Sequence, residues 1–562
     1  MNSQELLDAV SALGTELRRA SFPLSTPGAE AARAAQREIA GQIDDYLIPR
    51  LSQLDAPLLV VIGGSTGSGK STIVNSLIGR TVSTAGVLRP TTTTPILVSH
   101  PEEVGWFEGD RILPGMPRST GKLEPGSGGL HLVADADVPR GMAFLDAPDI
   151  DSIVSANREM AAQLLGAADL WLFVTTASRY ADAVPWSYLR RARERSTALA
   201  LVLNRVPQEA LEEVPHHLEE MLRKEGLAGT PVLTIPEAAL ADGLIPAVAL
   251  QPVRGWLDDL AADAGAKAQT ILKTLTGALD SLPGRVEEVA RQLEAQMAAA
   301  DELAGDARRI YSLALQEAEE LLAGGSLLRS EVLARWHEFL GTGDVMRSLQ
   351  STLGRLRDRV RDVVTGRPPV AQEVQTEVER SIETVAVSAA DKAAERTLAA
   401  WRSSPQGEAL IAAGVAPDRS SPGFAAALDA EIRTWQAGVL QLVKEQGPAR
   451  RATGRAVSFG VNAVGAALML LVFAHSGGLT GGELVIAGGT AALSQRLLEA
   501  LFGEEAVRTL AARARNDLLK RLAALMDSEA ERFARAARRE VPPAEQVSQL
   551  RSALAAVQAA RP

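Results

Sequence analysis

The sequence contains no cysteine, which excludes disulfides, thiolate metal sites and cysteine nucleophiles and fits a reducing compartment. Histidine is scarce as well: six residues lie scattered with no ligand-like spacing, so no dedicated metal centre is expected. Aromatic residues make up only 4%, against 46% hydrophobic residues overall, a balance that favours long helices over an all-β architecture. There is no basic excess. With 58 Lys and Arg against 69 Asp and Glu, the net charge of −11 argues against a dedicated nucleic-acid binder, and nucleic acid is not expected as a partner. The first residues, MNSQELLDAVSALGTELRR, carry acidic residues early and no continuous apolar run, so a secretory leader is not expected.

What the chain does have is length and alternation. Its 562 residues exceed one ordinary core, and about two to four structural units are expected. Leu6, Val10, Leu13 and Leu17 form one helical face, and Ile39, Ile43 and Leu47 another after the break at 21–28. From Ala56 the texture changes. The short apolar runs PLLVVIGGS, GMAFLDAP, ADLWLFVTT, TALALVLNR and TPVLTI alternate with helical or loop-like material, which predicts a mostly parallel sheet with helices on both faces. After about Gly255 the strand signals stop. Val286, Val289, Leu293, Met297 and Ala300 begin a long amphipathic helical region running to about Lys444, interrupted at 324–326, 366–369 and 416–423.

One stretch stands apart. Residues 456–474, AVSFGVNAVGAALMLLVFA, are uncharged and approach the ~20 residues that cross a bilayer. A second apolar arm follows HSGGLTGGE. Arg450, Arg451 and Arg455 precede the pair, Arg496 and Arg508 follow it, and the tip carries no Lys or Arg, the charge asymmetry of a hairpin with both ends cytoplasmic. Two crossings, a shallow re-entrant hairpin and a buried helical pair all fit this pattern. Beyond it, Leu518, Leu522 and Leu525 share a helical face in the most basic part of the chain, which reads as a solvated face or as a surface drawn to anionic lipid.

The chemistry is concentrated at Gly64-Ser65-Thr66-Gly67-Ser68-Gly69-Lys70-Ser71, followed by Thr72. This G-x-x-x-x-G-K-S lies between an apolar strand and a helix, the context that makes it a phosphate loop. Its glycines let backbone N–H groups turn onto phosphate oxygens, and the helix N-terminus adds partial positive charge. Lys70 is expected at the β- and γ-phosphates and Ser71 on Mg²⁺.

Four further features narrow the class. The helix ends Asn75-Ser-Leu-Ile-Gly. Thr92 lies in LRPTTTTPI, where a loop threonine can bind Mg²⁺ through its hydroxyl and sense the γ-phosphate, with Thr91 and Thr93 as rivals. Asp146 ends a strand in FLDAPD, where a carboxylate can hold the Mg²⁺ water shell. Asn204 and Arg205 end another in LVLNRVP. Together these resemble the translation-factor-related GTPases, and the spacing from Thr92 to Pro95-Ile96 resembles the dynamins. The resemblance implies GTP or GDP with Mg²⁺ as the bound species, Lys70, Ser71, Thr92 and Asp146 as catalytic candidates, Ser71, Thr92 and Asp146 at the metal, and Gly64 to Thr72 with Asn204 and Arg205 around the nucleotide. Departures are visible too. Asp149 replaces the glycine of the Asp-x-Pro-Gly motif and would repel phosphate unless it points away. Pro207 stands where a carboxylate usually reads guanine, and Thr66 and Gly67 stand where dynamins carry Gln and Ser.

The layout resembles that of bacterial dynamin-like proteins: an α/β P-loop domain joined to a helical neck and stalk with an apolar hairpin. This implies N-terminal helices packing with the neck over 1–54, the GTPase domain over 55–255, a stalk over 256–448, a membrane hairpin over 449–503 and returning basic helices over 504–562. It also implies a lipid bilayer at the cytoplasmic face of the cell membrane as a partner, and self-association through the nucleotide domain and stalk. A nucleotide-binding scaffold without remodelling activity is the alternative. A transport ATPase is a further one, but its signature is echoed only by HSGGL at 475–479, far from the loop.

Overall fold

The computed structural model describes residues 3–83, 94–110, 112–121, 129–152, 155–195, 197–323, 368–446 and 504–561. Thr91, Thr92 and Thr93 and the whole apolar hairpin at 456–493 lie outside them. Among the described residues, no helix is long and apolar enough to cross a membrane. The chain divides into two compact units: Met1–Phe22, Gly28–Glu294 and Pro542–Pro562 form the first, and Pro23–Pro27 and Ala295–Val541 the second.

The first unit is built on an eight-stranded sheet of order β3-β4-β2-β5-β1-β6-β7-β8. Its strands are β1 (Leu58–Gly64), β2 (Ile96–Ser99), β3 (Arg118–Ser119), β4 (Leu130–Ala134), β5 (Met142–Asp146), β6 (Leu170–Thr176), β7 (Ala198–Val206) and β8 (Val232–Pro236). All neighbours pair in parallel except β2 with β5, where Ile96 stands opposite Asp146. Both faces are covered, which is why β1 reads as an unbroken apolar run. Leu58, Val60 and Ile62 meet Ile73 and Val74 of α4 (Lys70–Ile78) and Val253 and Leu257 of α8 (Ala247–Ala262). Leu59 and Val61 point the other way, toward the layer holding Leu164 of α5 (Ser155–Gly166), Leu189 of α6 (Ala183–Glu194) and Leu222 of α7 (Glu213–Lys224).

Helices at the two chain ends meet in this unit. Leu6, Val10, Leu13 and Leu17 of α1 (Ser3–Arg19) are buried, and α1 packs along the helix Ala544–Ala560. The guanidinium of Arg551 on that last helix binds Glu287 and Glu294 of α9 (Ala264–Ala323). A buried ion pair fastens the start of the sheet: Arg50 bonds Asp169, the Ala56 carbonyl at 3.0 Å and the Pro57 carbonyl, while Asp169 also accepts from the Leu59 amide at 2.8 Å. Asp169 is fully buried, and this burial, opposed by Arg50 and the Leu59 amide, pushes its carboxyl above the usual range.

The second unit is helical. The later part of α9 packs with the helices Pro368–Arg402, Phe424–Gln446 and Glu504–Arg539 around Trp401, Trp435, Tyr311 and Phe533. Each indole N–H finds a backbone carbonyl, Trp401 at Leu303 (3.2 Å) and Trp435 at Ala514 (2.7 Å), so two large rings are buried without an orphan donor. The helical face read from sequence differs here at one position. Met297 is half-buried and Gln296 takes the fully buried place, because its amide accepts from the Leu24 N–H (2.8 Å) and donates to the Leu24 carbonyl (3.0 Å) and the Thr26 hydroxyl (2.6 Å). Every polar atom is partnered, which removes the cost of burying it.

Candidate nucleotide-binding site

The phosphate loop turns at three glycines that the backbone requires. Gly67 and Gly69 adopt φ of 75° and 97°, and a Cβ at Gly64 would stand 2.1 Å from the Val174 carbonyl oxygen of β6. The loop then enters α4 at Lys70, whose ammonium is buried and bonds the Gly64 and Ser65 carbonyls at 3.0 and 3.1 Å and the Asp149 carboxylate. The Ser65 and Ser68 hydroxyls are buried without a partner in the protein, as expected of groups shaped to meet phosphate oxygens.

The structure brings Ser71 and Asp146 together. The Ser71 hydroxyl donates to Asp146 Oδ2 at 2.7 Å, and Ser83 donates to the same oxygen at 2.6 Å. Asp146 Oδ1 is buried with no hydrogen-bond partner. Burial, partly offset by the Ser83 and Ser71 hydroxyls and Lys70, pushes this carboxyl up. A partnerless oxygen beside a serine hydroxyl is a hard-donor arrangement that fits Mg²⁺, which binds through few protein oxygens. Among the described residues, no group of three or more His, Asp or Glu side chains could hold a metal, so a cation here would complete its shell with phosphate and water.

Ser83 was not legible as a site residue, and the reason it is one lies in Asn75. The Asn75 side chain accepts from the Val82 and Ser83 amides (2.8 Å each) and donates to the Ser83 carbonyl (2.7 Å), which fixes the turn after α4 and aims the Ser83 hydroxyl at Asp146. The Asn-x-Leu-Ile-Gly ending thus has a positional role in the site.

Asn204 sits under the loop, its Nδ2 donating to the Ser68 carbonyl at 2.8 Å. It ends the regular part of β7, where the register with β8 shifts between Leu203 and Val206, and Arg205 within that irregularity takes a left-handed φ of 55°. Such bulges re-aim side chains at the rims of sheets. Arg205 is exposed, and Pro207, which itself has no carboxylate to offer a base, opens a 3₁₀ turn that carries the exposed Glu209.

Asp149 does not point away from the loop. It pairs with Lys70, and a second acid that sequence reading missed, Asp151, accepts from the Thr66 amide and hydroxyl at 2.6 and 2.7 Å. Arg179, also missed, binds Asp151 (2.9 Å), the Thr66 carbonyl (2.8 Å) and Asp182 (2.9 Å). Burial alone would raise the Asp151 carboxyl, but the Thr66 bonds and Arg179 outweigh it and hold it below the usual range. The only sequence signal was the clustering of acids in DAPDID.

No family model matches the chain. A chloroplastic FZO-like transmembrane GTPase of Arabidopsis thaliana is 25% identical over 194 residues, 33% of this chain, and the match spans 20% of that relative's length. Among solved structures, a chain of an oligomerised bacterial dynamin pair, described for long-range sensing and tethering of membranes, aligns over 94% of this chain and 95% of its own at 10% identity and a TM-score of 0.43. The bacterial dynamin GTPase LeoA from ETEC aligns over 100% and 99% at 12% identity and a TM-score of 0.25. Era of Aquifex aeolicus aligns over 36% and 56% at 19% identity and a TM-score of 0.23.

Proposed function

We propose that this chain is a GTPase that binds and hydrolyses GTP with Mg²⁺ and couples that cycle to membrane binding, tethering or remodelling at the cytoplasmic face of the cell membrane. One observation carries the nucleotide reading: a glycine-turned loop delivers Lys70 and Ser71 beside the buried Asp146, with the Ser65 and Ser68 hydroxyls unpartnered around it. When bound, the cation would supply charge neutralisation between the outer phosphates. Ser71 and Asp146 would hold it. Lys70 would neutralise phosphate charge, Asn204 would keep the loop shaped toward the base, and Thr92 would complete the site from its loop. The segments 1–54, 256–448 and 504–562 would form neck and stalk, and 449–503 the part that enters lipid.

Guanine preference rests on resemblance, since Pro207 removes the usual reader. GTP should therefore displace a labelled guanine nucleotide at least about tenfold more effectively than ATP in Mg²⁺ buffer if another group reads the base. Equal potency would overturn the guanine assignment and leave the phosphate site standing.

Membrane attachment is assigned to the apolar hairpin. Deleting 456–493 should abolish flotation of the protein with anionic liposomes and leave it in the bottom fraction. A wild-type chain that never floats would refute this part. A scaffold that binds nucleotide and lipid without remodelling is favoured by one observation, the capture of the Thr66 amide and hydroxyl by Asp151. Liposome tethering that is the same with and without GTP would support it.

A further inference from the structure

Two of the phosphate-side donors of the nucleotide site proposed above, the Lys70 ammonium and the Thr66 amide, are already taken by carboxylates of the chain. An ammonium offers three protons. Lys70 finds three acceptors within the chain: the carbonyls of Gly64 and Ser65 belong to the loop itself, and the third is the Asp149 carboxylate on the segment after β5. Two residues on, a single oxygen of Asp151 takes both the amide and the hydroxyl of Thr66, and Arg179 closes a ring by binding the other Asp151 oxygen and the Thr66 carbonyl. Both carboxylates are largely shielded from water, at 14% and 15% exposure, so their charge is felt at the loop. The segment leads away from Asp146, which with Ser71 would hold a cation that neutralises phosphate charge. Its backbone is tied down at Ala147 by a 3.1 Å bond to Ile62, but at Ile150 only by longer bonds of 3.4 Å to Gly64 and 3.3 Å from the Tyr188 hydroxyl.

We propose that Asp149 and Asp151 are specificity-determining residues of this site, occupying as carboxylates the donors that a terminal phosphate would use. The resting chain then binds a nucleoside diphosphate in preference to a triphosphate. A triphosphate enters only when the segment 147–151 withdraws, freeing Lys70 and the Thr66 amide. This rests on the loop being the nucleotide site, and it reverses the expectation that an acid at 149 would have to turn away.

The test is titration calorimetry of the full chain with Mg²⁺ and either GDP or a hydrolysis-resistant GTP analogue. The wild type should bind the diphosphate at least about tenfold more tightly, the scale of one charge-assisted hydrogen bond. Asp149→Asn should tighten the triphosphate analogue by about tenfold and leave the diphosphate within about threefold. Asp151→Asn should act in the same direction and serves as the second variant if the first does not fold. A wild type that prefers the triphosphate, or variants that leave triphosphate binding unchanged or tighten both nucleotides alike, would overturn the proposal. Lys70→Ala separates the two levels: undiminished binding of both nucleotides refutes the site itself, whereas lost binding beside an unresponsive Asp149→Asn refutes only the role of the carboxylates.

Discussion

Lys70→Ala is expected to weaken Mg²⁺–GTP binding by at least about a hundredfold, which corresponds to losing one or two hydrogen bonds from a charged group. The geometry implies more than a lost contact. The Lys70 ammonium ties the Gly64 and Ser65 carbonyls across the loop, and its removal leaves the Asp149 carboxylate uncompensated beside the phosphate path. The variant therefore loses attraction and gains repulsion at once. Equilibrium binding of a fluorescent guanine nucleotide measures the sum, and the double variant Lys70→Ala with Asp149→Asn measures the repulsive part by its recovery. Wild-type affinity in the single variant would remove the loop from the nucleotide site.

Arg50→Met is expected to destabilise the first unit by about 3–5 kcal/mol, the usual result of removing one partner from a buried ion pair. Asp169 is fully buried at the beginning of β6, and Arg50 is its cationic partner. Without it the acid keeps the Leu59 amide but no opposing charge. The loss should appear as a lower urea midpoint and as faster hydrogen exchange at the β1 amides, Leu59 above all. Adding Asp169→Asn should restore a large share of the stability, since an amide needs no counter-charge. A single variant within about 1 kcal/mol of wild type would show that the pair is dispensable.

How much of this was legible in sequence depended on distance along the chain. The strand, loop and helix from Leu58 to Ile78 follow from local texture: an unbroken apolar run, glycines where φ must be positive, and a helix that opens at Lys70. The buried faces of α1 and of β1 could be read the same way. Asp146 is legible because it ends a strand at the sheet's ligand edge, and Asn204 through the resemblance of LVLNRVP to the GTPases. Asp151, Arg179 and Ser83 were not found, because nothing periodic marks a side chain that reaches a partner 28 to 113 residues away. Asp149 was noticed as a departure, but its pairing with Lys70 depends on the path of the segment after β5, which only the assembled sheet determines. Met297 is expected from the pattern at the place that Gln296 takes, for a related reason. The burial of Gln296 is set by Leu24 and Thr26, 272 and 270 residues distant, and no helical pattern reveals a polar residue satisfied from afar.

The sheet's outer strands carry a consequence for assembly. On one side it ends in β3, only two residues long, whose Arg118 turns its guanidinium onto the carbonyls of Phe107, Gly109, Ile112 and Met116. On the other it ends in β8, which closes on Pro236 and follows Pro231. Short margins, a charged side chain and prolines deny an incoming strand the row of free amides and carbonyls it needs. Copies of this chain brought to high local density would thereby be protected from zipping together along the edges of this sheet.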